Sequence, residues 1–119
     1  MTIRPTIWKA PFAADAGANS GTQSAPTIVG LSNGNFLVAW TDENDTAGSG
    51  AGDDIIGRIF NPLGETVLLP GANTTLQLNT TTTGEERLVS LSAFDGGFVA
   101  AYHQVNSGTD KIFLRRVQQ

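Results

Sequence analysis

Asn33-Gly34-Asn35-Phe36-Leu37-Val38-Ala39-Trp40 and Asp95-Gly96-Gly97-Phe98-Val99-Ala100-Ala101-Tyr102 are two copies of one pattern, Asn/Asp-Gly-x-Phe-(Leu/Val)-(Val/Ala)-Ala-(Trp/Tyr). In each copy an Asn-Gly or Asp-Gly pair stands between two apolar runs. This is the strongest short hairpin signal a sequence offers, because both residues tolerate positive φ. The arm after the turn is apolar at nearly every position, where a strand with one wet face would alternate. That arm is expected to be covered on both faces.

Working outward, Gln23 falls over Glu85 and the two copies align without a gap to Trp40 over Tyr102. Asp53-Asp54-Ile55-Ile56-Gly57-Arg58-Ile59-Phe60-Asn61 then matches Asp110 to Gln118, at an offset five residues smaller because the loop after Trp40 is longer. A third strand is expected around Ile55–Phe60 and Ile112–Val117, carrying Arg58, Arg115 and Arg116. Asn61-Pro62-Leu63-Gly64 makes a turn. A fourth strand begins at Glu65–Leu69 and continues through Thr74–Leu78 after the Pro70-Gly71 break. Helix signals are nearly absent, since Pro11 and Gly17 spoil the one plausible stretch, Ala10–Ala18.

The expected fold is all-β and β-propeller-like, with two four-stranded antiparallel blades per chain; the alternative is a β-sandwich. One domain, 1–119, holds repeat one at about 23–79 and repeat two at about 85–119. The second copy stops after its third strand, and its last strand is expected from about 2–12. Ile3, Ile7 and Trp8 suit a strand there, while Pro5 and Pro11 suit an edge. Two blades cannot close a ring and would bare large apolar sheets. A cyclic homo-oligomer follows, with three chains ahead of four.

Composition narrows the partners. Net charge is −4, from eleven acidic and seven basic side chains, with no basic stripe, so nucleic acid is not an expected partner. No run of about 18 apolar residues is present to span a membrane. The stretch Met1–Lys9 lacks the charged-then-apolar layout of a signal peptide. Cysteine is absent, which excludes disulfides and thiolate–metal sites. Fourteen glycines and many Thr, Ser and Asn fit short strands joined by turns.

Gln23-Ser24-Ala25-Pro26 through Trp40, an acidic glycine-rich loop, and then Arg58-Ile59-Phe60-Asn61-Pro62-Leu63-Gly64 resemble the blade repeats of large secreted bacterial exoproteins of the calcium-associated RTX and adhesin type. The likeness covers Gln23 to Gln119. The second copy departs from it, with Leu88 where Pro26 stands, Tyr102 for Trp40 and no turn after the third strand. The resemblance implies an extracellular or cell-surface setting and adhesion or binding. It carries over no catalytic residue.

Catalysis finds little support in the residues themselves. The sole histidine, His103, follows Tyr102 at a strand end, and no serine stands in a triad-like setting. His103 reads as a surface residue and the chain as non-enzymatic. The loop Thr41–Asp54 is the candidate metal site. Asp42, Asn44 and Asp45 stand near one end and Asp53 and Asp54 near the other, with glycines that let the chain fold back, as calcium's six to eight oxygen ligands require. The spacing is neither that of an EF-hand nor of a nine-residue β-roll, and a solvated loop is the plainer reading. The matching loop, Asn106–Asp110, is poor in acids.

Aromatic side chains are the candidate ligand platform. Trp8, Trp40 and Tyr102 could stack on the face of a glycan ring, with nearby polar groups bonding its hydroxyls. The apolar setting of Trp40 and Tyr102 argues instead for core. Asn44-Asp45-Thr46, Asn73-Thr74-Thr75 and Asn79-Thr80-Thr81 match the glycosylation sequon but read as turn chemistry. The function expected is a lectin-like or adhesin-like binding module built by assembly of blades. The alternative is a structural, self-assembling repeat module stabilised by calcium.

Overall fold

The computed structural model of the chain describes residues 9–17, 22–43, 52–80, 85–106 and 108–118. Its strands are β1 (Thr22–Gly30), β2 (Phe36–Glu43), β3 (Asp54–Phe60), β4 (Leu76–Gln77), β5 (Glu85–Phe94), β6 (Gly97–Asn106) and β7 (Thr109–Gln118). They form two antiparallel sheets, with order β1-β2-β3-β4 in the first and β5-β6-β7 in the second. The architecture is all-β. Among the described residues the one helical piece is a 3₁₀ turn at Pro70–Ala72.

Both turn pairs make hairpins, but the two loops differ by a residue. Leu31 N donates to Asn35 O at 2.8 Å and closes a loop over Ser32, Asn33 and Gly34. In the second copy Phe94 pairs directly with Gly97 around Asp95-Gly96. Only the glycines take positive φ, +89° at Gly34 and +92° at Gly96. The longer first loop moves β1 one step against the gapless alignment. Gln23 lies opposite Asp42 and Glu86 opposite Gln104, so Glu86 rather than Glu85 is the counterpart of Gln23.

That correction uncovers a conserved device within the chain. Gln23 Nε2 donates to Asp42 Oδ1 at 3.0 Å in the first sheet. In the second, Gln104 Nε2 donates to Glu86 Oε1 at 2.9 Å. The amide and the carboxylate have exchanged strands, and the cross-strand bond has stayed. Each first strand also carries a β-bulge beside the aromatic residue that ends the motif. Ala25 and Pro26 together oppose Trp40, and the register slips again between Leu88 and Ser90, next to Tyr102.

The expected fourth strand lies along the free edge of β3 in two pieces. Thr66 bridges Phe60, and Val67 N donates to Ile59 O at 2.8 Å. Leu76 and Gln77 then pair with Gly57 and Ile56, and Leu78 N donates to Ile55 O at 2.8 Å. Between them the chain leaves the edge through Pro70-Gly71, where Gly71 (φ +79°) and Ala72 (φ +60°) reverse it. Asn79 finishes the edge: its Oδ1 accepts Ile55 N–H at 3.0 Å and its Nδ2 donates to Asp54 Oδ1 at 2.8 Å. The second sheet has three strands among the described residues.

One apolar cluster joins the sheets. From the first it takes Leu31, Leu37, Ala39, Ile55, Ile59 and Leu78; from the second it takes Phe98, Ala100 and Tyr102. In a strand, successive side chains point to opposite faces, so these lists define which faces meet. In β2 the buried members are Leu37 and Ala39. In β6 they are Phe98, Ala100 and Tyr102, the counterparts of Phe36, Val38 and Trp40 on the other face of β2. The repeats therefore present unlike faces to each other. β1 and β5 lie side by side in this packing, pinned at one end by Gly96 N to Ser32 Oγ (3.3 Å) and at the other by Glu86 N to Asp53 O (3.3 Å).

The shared cluster should dominate stability. Phe98→Ala, at a wholly buried ring, is expected to lower unfolding free energy by about 3–5 kcal/mol. Leu68→Ala, on the outer edge of the first sheet and 66% exposed, is expected to stay within about 0.5 kcal/mol. Urea unfolding of the two variants checks the contrast.

Candidate functional site

The face of the first sheet turned away from the second is where the candidate residues gather. Cross-strand register puts Phe36 beside Phe60, Val38 beside Arg58, Trp40 beside Ile56 and Asp42 beside Asp54 on this face. A face so apolar needs a cover, and residues 9–17 provide one. Phe12 packs edge-on against Phe60 with ring centroids 5.6 Å apart, and Phe60 stacks on Phe36 at 5.5 Å. Lys9 Nζ sits 4.5 Å from the centre of the Phe12 ring.

Arg58 holds this cover down. It is 5% exposed, and its Nη1 donates to Ala14 O at 2.7 Å and to Ala16 O at 3.0 Å. Its Nε donates to Thr74 O at 3.3 Å. A guanidinium offers five donors in a fixed fork, and here that fork ties two loops to the middle of β3. Every residue of β3 is buried, with the cover over one face and the inter-sheet cluster, through Ile55 and Ile59, on the other.

Between the cover and the sheet is a pocket of about 200 Å³, lined by Ala14, Asp15, Gln23, Ser24, Pro26, Val38 and Trp40. Its position follows from the bulge. Two residues of β1, Ala25 (φ +51°) and Pro26, stand against the single Trp40. A bulge bends its strand and leaves a residue out of the ladder. Pro26 has no N–H to give. Trp40 is 3% exposed, and its Nε1–H has no acceptor among the described residues. Ser24 Oγ donates to Glu43 Oε1 at 3.2 Å.

The acidic end of the sheet is built differently from a bare ligand cage. Asp42 and Asp54 face each other across β2 and β3, and both are buried. Like charges directly opposed destabilise a sheet, and amide donors offset this. Gln23 bonds Asp42, while Asn79 and Gln77 bond Asp54, at 2.8 and 3.2 Å. Asp53 instead meets Arg87 Nη2 at 3.1 Å. Asn44 and Asp45 lie outside the described residues. Among the described residues no three acidic or histidine side chains are grouped closely enough to hold a metal.

Of the three candidate aromatics, Trp40 lines the pocket and Tyr102 does not join it. Tyr102 is 2% exposed in the cluster between the sheets, stacked on Phe113 at 5.5 Å. Trp8 lies outside the described residues. His103 is half-buried on the outer face of the second sheet, 3.8 Å from Asp110.

Arg87 is a residue that sequence pattern did not single out. From β5 it reaches Glu43 at 3.3 Å, Asp53 at 3.1 Å and Glu85 at 3.4 Å, and so ties the second sheet to the loop end of the first. The hydrogen bond to Glu43 raises its pKa, reinforced by the nearby Asp53 and Glu85 charges and opposed by partial burial. It therefore stays cationic. The signal in the sequence was its place as a lone cation facing a run of acids.

No protein-family model, curated protein or solved structure matches this chain. The repeat reading rests on the two copies within the chain itself. None of the helices among the described residues is long and apolar enough to cross a membrane.

Arg58 offers the direct test of the cover. Arg58→Met is expected to cost about 1–3 kcal/mol, because it removes the charge-assisted hydrogen bonds to the Ala14, Ala16 and Thr74 carbonyls. It should also make residues 9–17 the first site of limited proteolysis while the sheets persist. Unchanged cleavage would show that this segment is held by other means.

Proposed function

We propose that the chain is an assembly module of the propeller-blade type, whose second sheet docks a further sheet of the same construction from a second copy. The observation that carries this reading is the apolar surface that the pairing of the two sheets leaves exposed on the second, at Ile112 and Leu114. The Leu37/Ala39 face of the first sheet receives the Phe98/Ala100/Tyr102 face of the second. In the second sheet the counterpart of the receiving face, Val99 and Ala101, looks outward.

That outward face carries an apolar patch at Ala101, Ile112 and Leu114. Ile112 and Leu114 of β7 are 68% and 73% exposed, and register sets them beside His103 and Ala101. Val99 adjoins the patch on β6, opposite Arg116, and Asp110 bounds it opposite Val105. Exposed contiguous apolar patches on a soluble protein mark interaction sites. In stacked repeats, each unit contacts its neighbours and terminal units need a cap. Residues 9–17 cap one end of this two-sheet stack, and among the described residues nothing caps the other.

The capped end bears on stoichiometry. A ring of three or more copies needs the bare face of one chain to reach the Phe36/Val38/Trp40 face of the next, from which residues 9–17 must first move. Two bare faces meet with the cap in place, in the isologous manner of most dimers. The dimer is accordingly the favoured state of the full chain, and the ring is the state of a chain whose cap has been displaced. No catalytic step belongs to this reading, and an extracellular setting enters through the exoprotein resemblance.

Light scattering across a dilution series tests it. The full chain is expected at a multiple of 12.5 kDa. Ile112→Lys combined with Leu114→Lys should return it to that mass with its circular dichroism unchanged. A wild-type chain that stays at the single-chain mass at all concentrations contradicts the proposal.

A further inference from the structure

We propose that the covered face of the first sheet is a latent docking surface for the outer face of the second sheet of another copy, and that residues 9–17 are a displaceable plug over it. The donor surface rests on the assembly reading above; the acceptor surface goes beyond it.

The joint between the two sheets of one chain is the precedent. There the Leu37/Ala39 face of the first sheet meets the Phe98/Ala100/Tyr102 face of the second. Each kind of face occurs once more in the chain. Phe36, Val38 and Trp40 are the counterparts of Phe98, Ala100 and Tyr102, while Val99 and Ala101 are those of Leu37 and Ala39. The neighbouring strand follows suit. The pairs Phe36–Phe60, Val38–Arg58 and Trp40–Ile56 correspond to Phe98–Val117, Ala100–Arg115 and Tyr102–Phe113. Phe113 and Val117 pack against the inter-sheet cluster, and alternation puts the half-buried Arg115 on the same face of β7. The existing joint thus accepts an arginine where Arg58 stands.

On the donor side, Ile112 is the counterpart of Ile55. Ile55 is wholly buried inside the joint, whereas Ile112 is exposed. The donor departs from its counterpart at two places, with Leu114 for Gly57 and Arg116 for Ile59. Arg116 is drawn to the Phe94 ring beside the hairpin turn, 4.6 Å from its centre.

The plug fits its sheet loosely. None of residues 9–17 is buried, and Phe12, which packs on Phe60, is half exposed. A pocket of about 200 Å³ remains between the plug and Trp40, where packed interiors leave few voids larger than a water molecule. Its polar anchors are local: Arg58 to the Ala14 and Ala16 carbonyls, and Lys9 Nζ to Leu63 O at 3.4 Å on the surface. A second copy finds the acceptor face only in the fraction of chains whose plug is off, and its apparent affinity falls by that fraction. Release gives each chain one donor and one acceptor face, a head-to-tail arrangement that closes into a ring or runs on as a filament.

Three full-length chains test this. The acceptor carries Phe12→Asp and Arg58→Met to free the plug, and Ile112→Lys with Leu114→Lys to block its own outer face. The control carries only the second pair, and the donor is wild type. Native mass spectrometry distinguishes the pairs by mass. The acceptor alone is expected at the single-chain mass, with protease cutting within residues 9–17 where the control resists. Mixed with donor it should form a one-to-one pair at least about tenfold more abundant than control with donor, because the control's plug stays on. If the acceptor's circular dichroism departs from the control's, Phe12→Asp alone, at a half-exposed side chain, replaces the two plug substitutions. Four results overturn the proposal: no mixed pair, an equal pair with the control, self-association of the acceptor, or a plug that stays protected. A wild-type chain that is single by itself yet pairs with the acceptor contradicts the dimer and leaves the latent face standing. A wild-type dimer without a mixed pair does the reverse.

Discussion

Leu37 and Ala39 of the first repeat share one buried cluster with Phe98, Ala100 and Tyr102 of the second, and much else in the molecule follows from that pairing of unlike faces. Had the repeats buried like faces, the sandwich would be closed on itself, with two equivalent outer surfaces. Burying unlike faces makes the second sheet a displaced copy of the first instead of its mirror partner. The stack then has two different ends. At one end the Phe36/Val38/Trp40 face is left over, and at the other the Val99/Ala101 face. Among the described residues only the first of these is covered, by residues 9–17 anchored through Arg58 and Phe60.

The same packing explains why equivalent residues have different fates. Trp40 and Tyr102 end the same motif and stand beside the same bulge. Tyr102 is turned into the inter-sheet cluster, where its ring stacks on Phe113. Trp40 is turned to the covered face, where the cover is a loop instead of a sheet. A loop pinned at Ala14 and Ala16 does not fill the space over the bulge as interdigitated strands do, and a pocket remains. A buried indole N–H without an acceptor is tolerated there because hydrophobic contact across β2 and β3 exceeds its cost, about 1–3 kcal/mol.

Much of the backbone was legible in the sequence. The Asn33-Gly34 and Asp95-Gly96 pairs fixed two hairpins, and the unbroken apolar arms marked β2 and β6 as central strands. Pro70-Gly71 marked the break in the fourth strand. Three things were hidden for physical reasons. The one-residue difference between hairpin loops leaves no trace in composition, so the gapless alignment paired Gln23 with Glu85. The exchange of amide and carboxylate between strands disguises Gln23–Asp42 and Glu86–Gln104 as unrelated residues, although the bond is the same. Arg58 stood out in the sequence only as a charge carried on the third strand. It is buried because its fork bonds backbone carbonyls of a segment more than forty residues away, which no local pattern encodes. Among the site residues, Trp40 was found by motif, but Asp15, Ser24 and Pro26 join it only through the bulge and the cover.

The central claim is that unlike faces meet, and nuclear Overhauser contacts in dilute solution measure it most directly. The account predicts contacts from the Leu37 methyl groups to the ring protons of Phe98 or Tyr102, and from the Trp40 indole to residues 14–15 and not to Tyr102. Contacts between the Trp40 and Tyr102 rings within one chain would mean that like faces are paired, and would contradict it.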